Sequence, residues 1–269
     1  VTTLTAEHLV KNYHLRRGLR GGTLRAVDDV SFTLEPGRTV ALVGQSGSGK
    51  STIAKLLLQL ERPTAGRILV DGKPVQRRGG GLRRYRRTVQ MVFQDPFASL
   101  NPYHTVEHHL ERPIRLHHPK LASDEVHRRV LHLLERVRLT PAENVAARRP
   151  HQLSGGQRQR VAIARALAPG PGVLIADEPV SMLDVSIRLG VLNLLATLQR
   201  EEDLGLLYIT HDLATARHFA DEILVMYRGR IVERGDADEV ILRPQHEYTK
   251  TLAAAAPNPE RRLSELRGG

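Results

Sequence analysis

Apolar positions along the chain fall into two kinds of run. Thr2 to Leu9, Ala26 to Leu34, Thr39 to Val43, Arg67 to Val70, Val89 to Phe93, Val173 to Ala176 and Leu206 to Thr210 are short and largely apolar or alternating, as strands are. Ile53 to Leu60 has helical length instead, and Asp124 to Val137 sets Val126, Val130, Leu133, Leu134 and Val137 on one side of an amphipathic helix. Strands separated by helices predict an α/β core. The first two runs are joined by Arg16 to Thr23, a basic glycine-containing stretch that reads as a hairpin-like connection and predicts an N-terminal antiparallel β subdomain. Pro63-Thr64-Ala65-Gly66 and Asp71-Gly72 read as turns, and Gly79-Gly80-Gly81, among arginines, as an exposed loop. From 97 to 150 the pattern changes: His, Arg and Leu recur at helical spacings, Pro102, Pro113, Pro119 and Pro141 interrupt them, and no strand stands out. That stretch predicts an inserted helical subdomain.

The chemistry begins between the third run and the helix that follows. Gly44-Gln45-Ser46-Gly47-Ser48-Gly49-Lys50-Ser51-Thr52 joins an apolar strand to an apolar helix, the context a phosphate loop needs. Glycines at 44, 47 and 49 let successive N–H groups turn inward toward phosphate oxygens, and the helix adds the positive end of its dipole. Lys50 would reach the β- and γ-phosphates, Ser51 would ligate Mg²⁺, and Ser46 and Thr52 complete the predicted nucleotide loop.

Other polar residues stand where apolar runs stop. Val173 to Ala176 ends in Asp177 and Glu178; beside a phosphate loop, Asp177 would hold Mg²⁺ through water and Glu178 would polarise the attacking water. The strand at 89–93 ends at Gln94, whose carbonyl oxygen suits Mg²⁺ or a water, although one glutamine is weak evidence by itself. Leu206 to Thr210 ends at His211, placed to meet a γ-phosphate. All three would share the carboxyl edge of one sheet, where open α/β sheets bind ligands. Leu153-Ser154-Gly155-Gly156-Gln157 precedes a helix from Arg158 to Leu167: Ser154 can cap it and the glycines leave N–H groups bare, which makes a second anion-type terminus. Tyr13, just after the first run, is open to two readings, stacking on a purine or ordinary packing.

Composition narrows the classes. Cysteine is absent, which removes disulfides, thiolate zinc, iron–sulfur clusters and cysteine nucleophiles. Tryptophan is absent and aromatics are few, a poor supply for a base-stacking nucleic-acid surface. His104 and His108 have metal-compatible spacing, and His108-His109 and His117-His118 are adjacent pairs, but nothing completes a ligand set and a solvated helix face is the better reading. No apolar run approaches the roughly 18 to 20 residues of a membrane span, and no signal-peptide pattern opens the chain, so a cytoplasmic location is expected. The net charge of +11 is concentrated in Arg16, Arg17 and Arg20, in the arginines from Arg77 to Arg87, and in Arg148 and Arg149. Such runs suit an acidic partner or an anionic surface, but a solvated face is the commoner meaning of a charge run and the favoured reading.

Taken together and in this order, the phosphate loop, Gln94, Leu153–Gln157, the acidic strand end 173–178, Ser181-Met182-Leu183-Asp184 and His211 resemble an ATP-binding cassette ATPase subunit. The resemblance covers almost the whole chain, and the Leu-Ser-Gly-Gly-Gln signature is what separates that family from other phosphate-loop ATPases. It implies a RecA-like core in two parts, 1–94 with the β subdomain and 161–235, a helical signature subdomain at 95–160 and a C-terminal extension at 236–269. It implies ATP and Mg²⁺ as cofactors, Glu178, His211 and Gln94 as catalytic, Tyr13 against the base, and Ser51, Gln94 and Asp177 on the metal. Ser154, Gly155, Gly156 and Gln157 would serve the nucleotide held by a partner chain, with Asp184 in the loop that crosses the dimer. Met182 departs from the alanine usual there. Val92 to Pro102, together with Pro244-Gln245-His246-Glu247-Tyr248-Thr249 and Pro257, resembles the bacterial oligopeptide, dipeptide and nickel import subfamily. That implies a pair of ATPase subunits, identical or related, under two transmembrane permeases at the cytoplasmic face of the membrane, fed by an extracytoplasmic solute-binding protein. Peptides are the expected cargo, with nickel chelates or oligosaccharides as alternatives. A non-transport cassette on DNA or ribosomes fits less well, without a coiled-coil insertion or tandem cassette; no nucleic-acid partner and no iron–sulfur cluster are expected.

Overall fold

The computed structural model describes residues 2–15 and 22–255. Arg16, Arg17, Arg20 and most of the expected hairpin connection, and also Pro257, lie outside the described residues. Strands β1 (Leu4–Leu15), β2 (Gly22–Leu34), β4 (Ala65–Val70) and β5 (Lys73–Pro74) form an antiparallel sheet in the order β2-β1-β4-β5. A second sheet has the order β10-β9-β3-β8-β7-β6, from β3 (Thr39–Val43), β6 (Val89–Val92), β7 (Val173–Asp177), β8 (Gly205–Thr210), β9 (Glu222–Tyr227) and β10 (Arg230–Asp236). Its strands are parallel except for β10, which pairs antiparallel with β9.

Period-two alternation explains why the parallel strands are apolar throughout. Val40 and Leu42, Val173 and Ile175, Leu207 and Ile209, and Leu224 and Met226 face one core, shared with the antiparallel sheet and with α1 (Lys50–Leu57). Ala41 and Val43, Leu174 and Ala176, Leu206 and Tyr208, and Ile223 and Val225 face the other. That second core runs on into the helices inserted between β6 and β7: α3 (Pro96–Ser99), α4 (Val106–His117), α5 (Ser123–Arg136), α6 (Ala142–Ala146) and α7 (Gly155–Leu167). Val106, Leu110, Ile114, Val130 and Leu134 are its fully buried members from α4 and α5. The chain continues through α8 (Val185–Glu201), α9 (Leu213–Phe219), α10 (Ala237–Leu242) and α11 (Glu247–Ala255).

Four local expectations are corrected. Gly79-Gly80-Gly81 is not a loop but the start of helix α2 (Gly79–Thr88). Glycine lowers helix propensity, but Tyr85 overrides it: the ring is buried and its hydroxyl donates to the Leu57 carbonyl at the end of α1, while Arg83, Arg84, Arg86 and Arg87 point outward. Strand β1 runs on past Leu9, so Tyr13 lies within it, opposite Leu24, rather than after it. Register shifts between Ala6 and Leu9, Leu9 and Lys11, and Lys11 and Asn12 break the alternation that would have revealed the longer strand. Helix α1 begins at Lys50 and ends at Leu57, displaced toward the loop, and leaves Leu60 exposed beyond it. Helix α7 begins at Gly155, because Ser154 caps it directly.

Candidate functional site

The loop leaves β3 at Val43 and enters α1 at Lys50. Gly49 has φ +112°, and a Cβ on it would stand 2.3 Å from the Ala26 carbonyl oxygen; only glycine fits there. Gly47 also has positive φ, +81°. Backbone from the β9–β10 turn supports the loop from outside: the Gly229 N–H donates to the Ser48 carbonyl at 2.9 Å. Lys50 is buried, and its Nζ donates to the Gly44 and Gln45 carbonyls at 2.6 and 3.0 Å. Burial pushes its pKa down, while the charges of Glu178 and Asp177 pull it back up. Ser46 and Ser51 are exposed, and Thr52 is half-buried.

Sheet register brings the other candidates to this edge. Val43 pairs with Thr210, Asp177 with Ile209, and Val92 with Ala176. The loop, His211, Glu178 and Gln94 therefore leave the ends of adjacent strands. Gln94 Nε2 donates to Glu178 Oε2 at 3.2 Å, and His211 Nδ1 lies 3.1 Å from Glu178 Oε1. Both carboxylate oxygens of Glu178 are thus engaged. Its backbone is left-handed, φ +43°, a conformation that costs a non-glycine residue about 1–3 kcal/mol. Hydrogen bonds on each side hold it: the Glu178 N–H donates to Ile209 O at 2.9 Å, and the Ser181 hydroxyl donates to Glu178 O at 3.0 Å. Asp177 is largely buried at the end of β7, and its pKa is raised, first by burial and then by Glu178, against the opposing charge of Lys50.

These residues fit a nucleotide with its magnesium ion. The Ser48 hydroxyl is buried with no protein partner, in a loop where backbone crowds Gly44 and Gly49 too closely for any side chain. Ser51, Asp177 and Gln94 supply hard oxygen donors, as Mg²⁺ prefers. Among the described residues no three His, Cys, Asp or Glu converge as a metal cage, so an ion here would depend on phosphate oxygens for much of its shell.

The second glycine-rich terminus has another construction. Ser154 and Gln157 form a reciprocal capping box, the Ser154 hydroxyl accepting from the Gln157 N–H at 3.2 Å and Gln157 Oε1 accepting from the Ser154 N–H at 2.9 Å. Gly155 has room: a Cβ there would meet only Leu183 Cδ2, at 3.5 Å, whereas a Cβ on Gly156 would come within 2.7 Å of Ile187 Cγ2. Gly156 thus serves close packing against α8, a reason different from the bare N–H groups expected of both glycines. Asp184 stands exposed at the start of α8, making no side-chain cap, beside exposed Met182, Val185 and Leu189. No hydrogen bond among the described residues joins 154–157 to 44–52.

Residues 27–181 match the ABC transporter family. The chain belongs to that family. It is 45% identical to a probable peptide ABC transporter ATP-binding protein of Sinorhizobium fredii, over 96% of this chain and 73% of that one. It is 46% identical to the di/tripeptide transport ATP-binding protein DppF of Pseudomonas aeruginosa, over 95% of this chain and 79% of that one. Among solved structures it resembles the ATP-binding cassette MJ0796, a dimer in a post-hydrolysis state bound to ADP and Pi, with a TM-score of 0.74 and 31% identity over 87% of this chain and 98% of that one. The α/β architecture with an antiparallel subdomain is that of an ABC ATPase, and the chain is an ATP-hydrolysing transporter subunit. No described helix is long and apolar enough to cross a membrane.

Within this ABC ATPase, Tyr13 is tied to Glu61, a few residues beyond the phosphate-loop helix. Its hydroxyl donates to Glu61 Oε2 at 2.6 Å, and Lys11 Nζ sits 4.9 Å from its ring centroid. Burial and then the hydrogen bond to Glu61 raise its pKa. Two contacts to the loop come from residues that the sequence did not place at the site. One is Gly229; the other is Tyr248, whose hydroxyl accepts from the Gln45 N–H at 2.9 Å.

Proposed function

We propose that this ABC ATPase powers a peptide importer as one of two cassettes under a pair of transmembrane permeases, at the cytoplasmic face of the membrane. The observation that carries the reading is the division of the site. One sheet edge gathers Lys50, Asp177, Glu178, Gln94 and His211, while the signature terminus is a separate, solvent-facing surface with an exposed apolar loop next to it. A complete site then needs a second chain, as fits the dimeric cassette MJ0796 with its ADP and Pi. Peptides are the cargo of the relatives from S. fredii and P. aeruginosa by their names, and the resemblance of Val92–Pro102 and 244–249 to peptide importers agrees.

In this reading the loop amides and Lys50 bind the β- and γ-phosphates, Tyr13 meets the base, and Ser51, Asp177 and Gln94 face Mg²⁺. Magnesium, when bound, neutralises charge developing on the phosphates. Glu178 takes the proton of the water that attacks the γ-phosphorus, its carboxylate aimed by Gln94 and His211. The Ser154–Gln157 terminus closes over the partner's γ-phosphate, with Asp184 at the crossing loop. The permease fits the groove of about 1180 Å³ between core and helical insert, lined by exposed apolar Leu60, Phe93 and Leu116 with Arg83, Arg86 and Arg112 at its rim and reaching Gln94 and Asp177.

Mixed dimers test the division. Gly155→Asp and Lys50→Ala placed in one chain, paired with an unaltered chain, should damage both composite sites; divided between the chains, they should damage one site twice and spare the other, which still occludes ATP. An intact occluding site in the first arrangement would place the signature on its own chain's nucleotide and end the model. Peptide uptake by the assembled transporter in vesicles, driven by ATP, tests the cargo.

A further inference from the structure

The C-terminal stretch around Tyr248 has no role in the proposed ATP chemistry, yet it touches the phosphate loop. The Gln45 N–H, at the loop's first bend, donates to the Tyr248 hydroxyl at 2.9 Å. Gln45 is itself exposed, and its carbonyl receives Lys50 Nζ at 3.0 Å, so the same residue's backbone meets the tyrosine and the lysine side chain. The tyrosine is fixed from behind. Its ring packs on Tyr227, at the end of β9, with centroids 4.3 Å apart. The turn before α11 is anchored by Glu233 of β10, whose two carboxylate oxygens accept from the Gln245 and His246 N–H groups at 2.7 and 3.0 Å. His246 Nδ1 in turn accepts from the Tyr248 N–H at 3.1 Å, and neighbouring Thr249 is fully buried. Glu233, the 244–249 turn, Tyr248 and Gln45 form one chain of contacts from the edge strand to the loop.

We propose that Tyr248 is a positioning residue for ATP binding: its hydroxyl fixes the Gln45 backbone, and so the entry of the phosphate loop, in the orientation that presents the loop's later N–H groups and Lys50 to the phosphates. The proposal rests on the ATPase reading of the loop. Pre-setting a binding loop lowers the ordering cost of binding, so loss of the contact shows in nucleotide affinity ahead of the chemical step.

Tyr248→Phe removes the acceptor and keeps the ring on Tyr227. Amide hydrogen exchange is followed in the peptide that spans 43–50, without nucleotide, beside the thermal midpoint and titration with a fluorescent ATP analogue and Mg²⁺. The expected result is exchange roughly fivefold to tenfold faster in that peptide alone, as for one lost hydrogen bond, and affinity weakened threefold to tenfold, with the loss in steady-state assays carried by KM for ATP. Glu233→Gln, which leaves a single acceptor facing two N–H groups, should shift both readouts the same way; Lys250→Ala, on the exposed side of α11, should shift neither. Exchange and affinity equal to the parent chain's in Tyr248→Phe would overturn the proposal, as would faster exchange throughout the protein with a lowered midpoint, which marks only general destabilisation. If the parent chain fails to bind Mg-ATP, the ATPase reading falls, while the exchange comparison still decides whether Tyr248 holds the loop.

Discussion

The chain contains two helix starts rich in serine and glycine, and they are built on opposite principles. At the phosphate loop Gly47 and Gly49 have positive φ, backbone from β2 and β9 crowds the loop from outside, the lysine is buried, and acidic side chains stand across the sheet edge. At the signature the backbone is ordinary, the cap is a self-contained Ser154–Gln157 pair, and neither Ser154 nor Gln157 meets a charged side chain by hydrogen bond. The first concentrates strain and buried charge in a pocket that one chain builds. The second puts little strain into its shape and presents an open front. The composite site proposed for this chain would need that contrast: machinery for holding phosphate and moving a proton that is preorganised, and a surface that associates and separates while staying intact by itself.

The largest effect should come from the strained side. Glu178→Gln keeps the shape and the Gln94 and His211 neighbours but removes the proposed base, so turnover should fall by about 10²–10⁴ with Mg-ATP binding retained. Steady-state hydrolysis beside nucleotide titration measures both; near-normal turnover would move the base to another residue and erase the catalytic half of the contrast.

On the signature side the two glycines should separate. Gly156→Ala drives a methyl to 2.7 Å from Ile187 and should destabilise the fold by about 1–3 kcal/mol, whereas Gly155→Ala, with its nearest neighbour at 3.5 Å, should stay within about 0.5 kcal/mol of the parent. Denaturant midpoints with unchanged m-values would show it. Equal costs at the two positions would mean that the helix start, rather than the contact with α8, sets the requirement for glycine.

Much of this was legible in the residue pattern, and what was not has physical causes. The strand ends that carry Gln94, Asp177, Glu178 and His211 could be read because a buried parallel strand is an unbroken apolar run, and the first polar residues after it mark the carboxyl edge. The phosphate loop could be read because its glycines answer to local backbone demands. The outer part of β1 could not, since bulges spoil its alternation, and α2 could not, since a single long-range anchor, Tyr85 on Leu57, outweighs three glycines. Tyr248 was visible only as part of a subfamily-like stretch: nothing local in Pro244–Thr249 says that a strand two elements earlier will hold it against residue 45. The different duties of Gly155 and Gly156 were hidden for the same reason, as Ile187 belongs to another helix.

Tyr13 offers a smaller test of the strained side. Tyr13→Ala should weaken affinity for the nucleotide by about 1 kcal/mol, the scale of an aromatic contact, with less effect on turnover. Tyr13→Phe gives up only the hydrogen bond to Glu61 and should keep the affinity if the ring face is what matters. Unchanged affinity in Tyr13→Ala would return the residue to ordinary packing within β1.

The smallest effect concerns stability, and it runs against intuition. Asp177 is held above the usual aspartate range by burial first and by Glu178 second, and Lys50 only partly offsets them. A carboxyl whose pKa is raised on folding binds its proton more tightly in the folded chain than in the unfolded one. Folding is therefore favoured as pH falls through the window between the raised value and the ordinary one, and the charged carboxylate penalises the fold in full above that window. Asp177→Asn keeps the shape without the charge, so it should raise the nucleotide-free thermal midpoint at neutral pH while weakening Mg²⁺-dependent binding, a trade of function for stability. The gain should shrink as the pH is lowered, since the parent residue becomes neutral as well. On the signature side Ser154→Ala, which removes a cap and no charge, should instead lose about 1 kcal/mol with no such trend with pH. Thermal scans of both variants and the parent from neutral to mildly acidic pH decide it. A gain in Asp177→Asn that is independent of pH, or a loss, would show that burial and Glu178 are matched by Lys50, and that the phosphate-loop edge carries no charge strain for the signature side to contrast with.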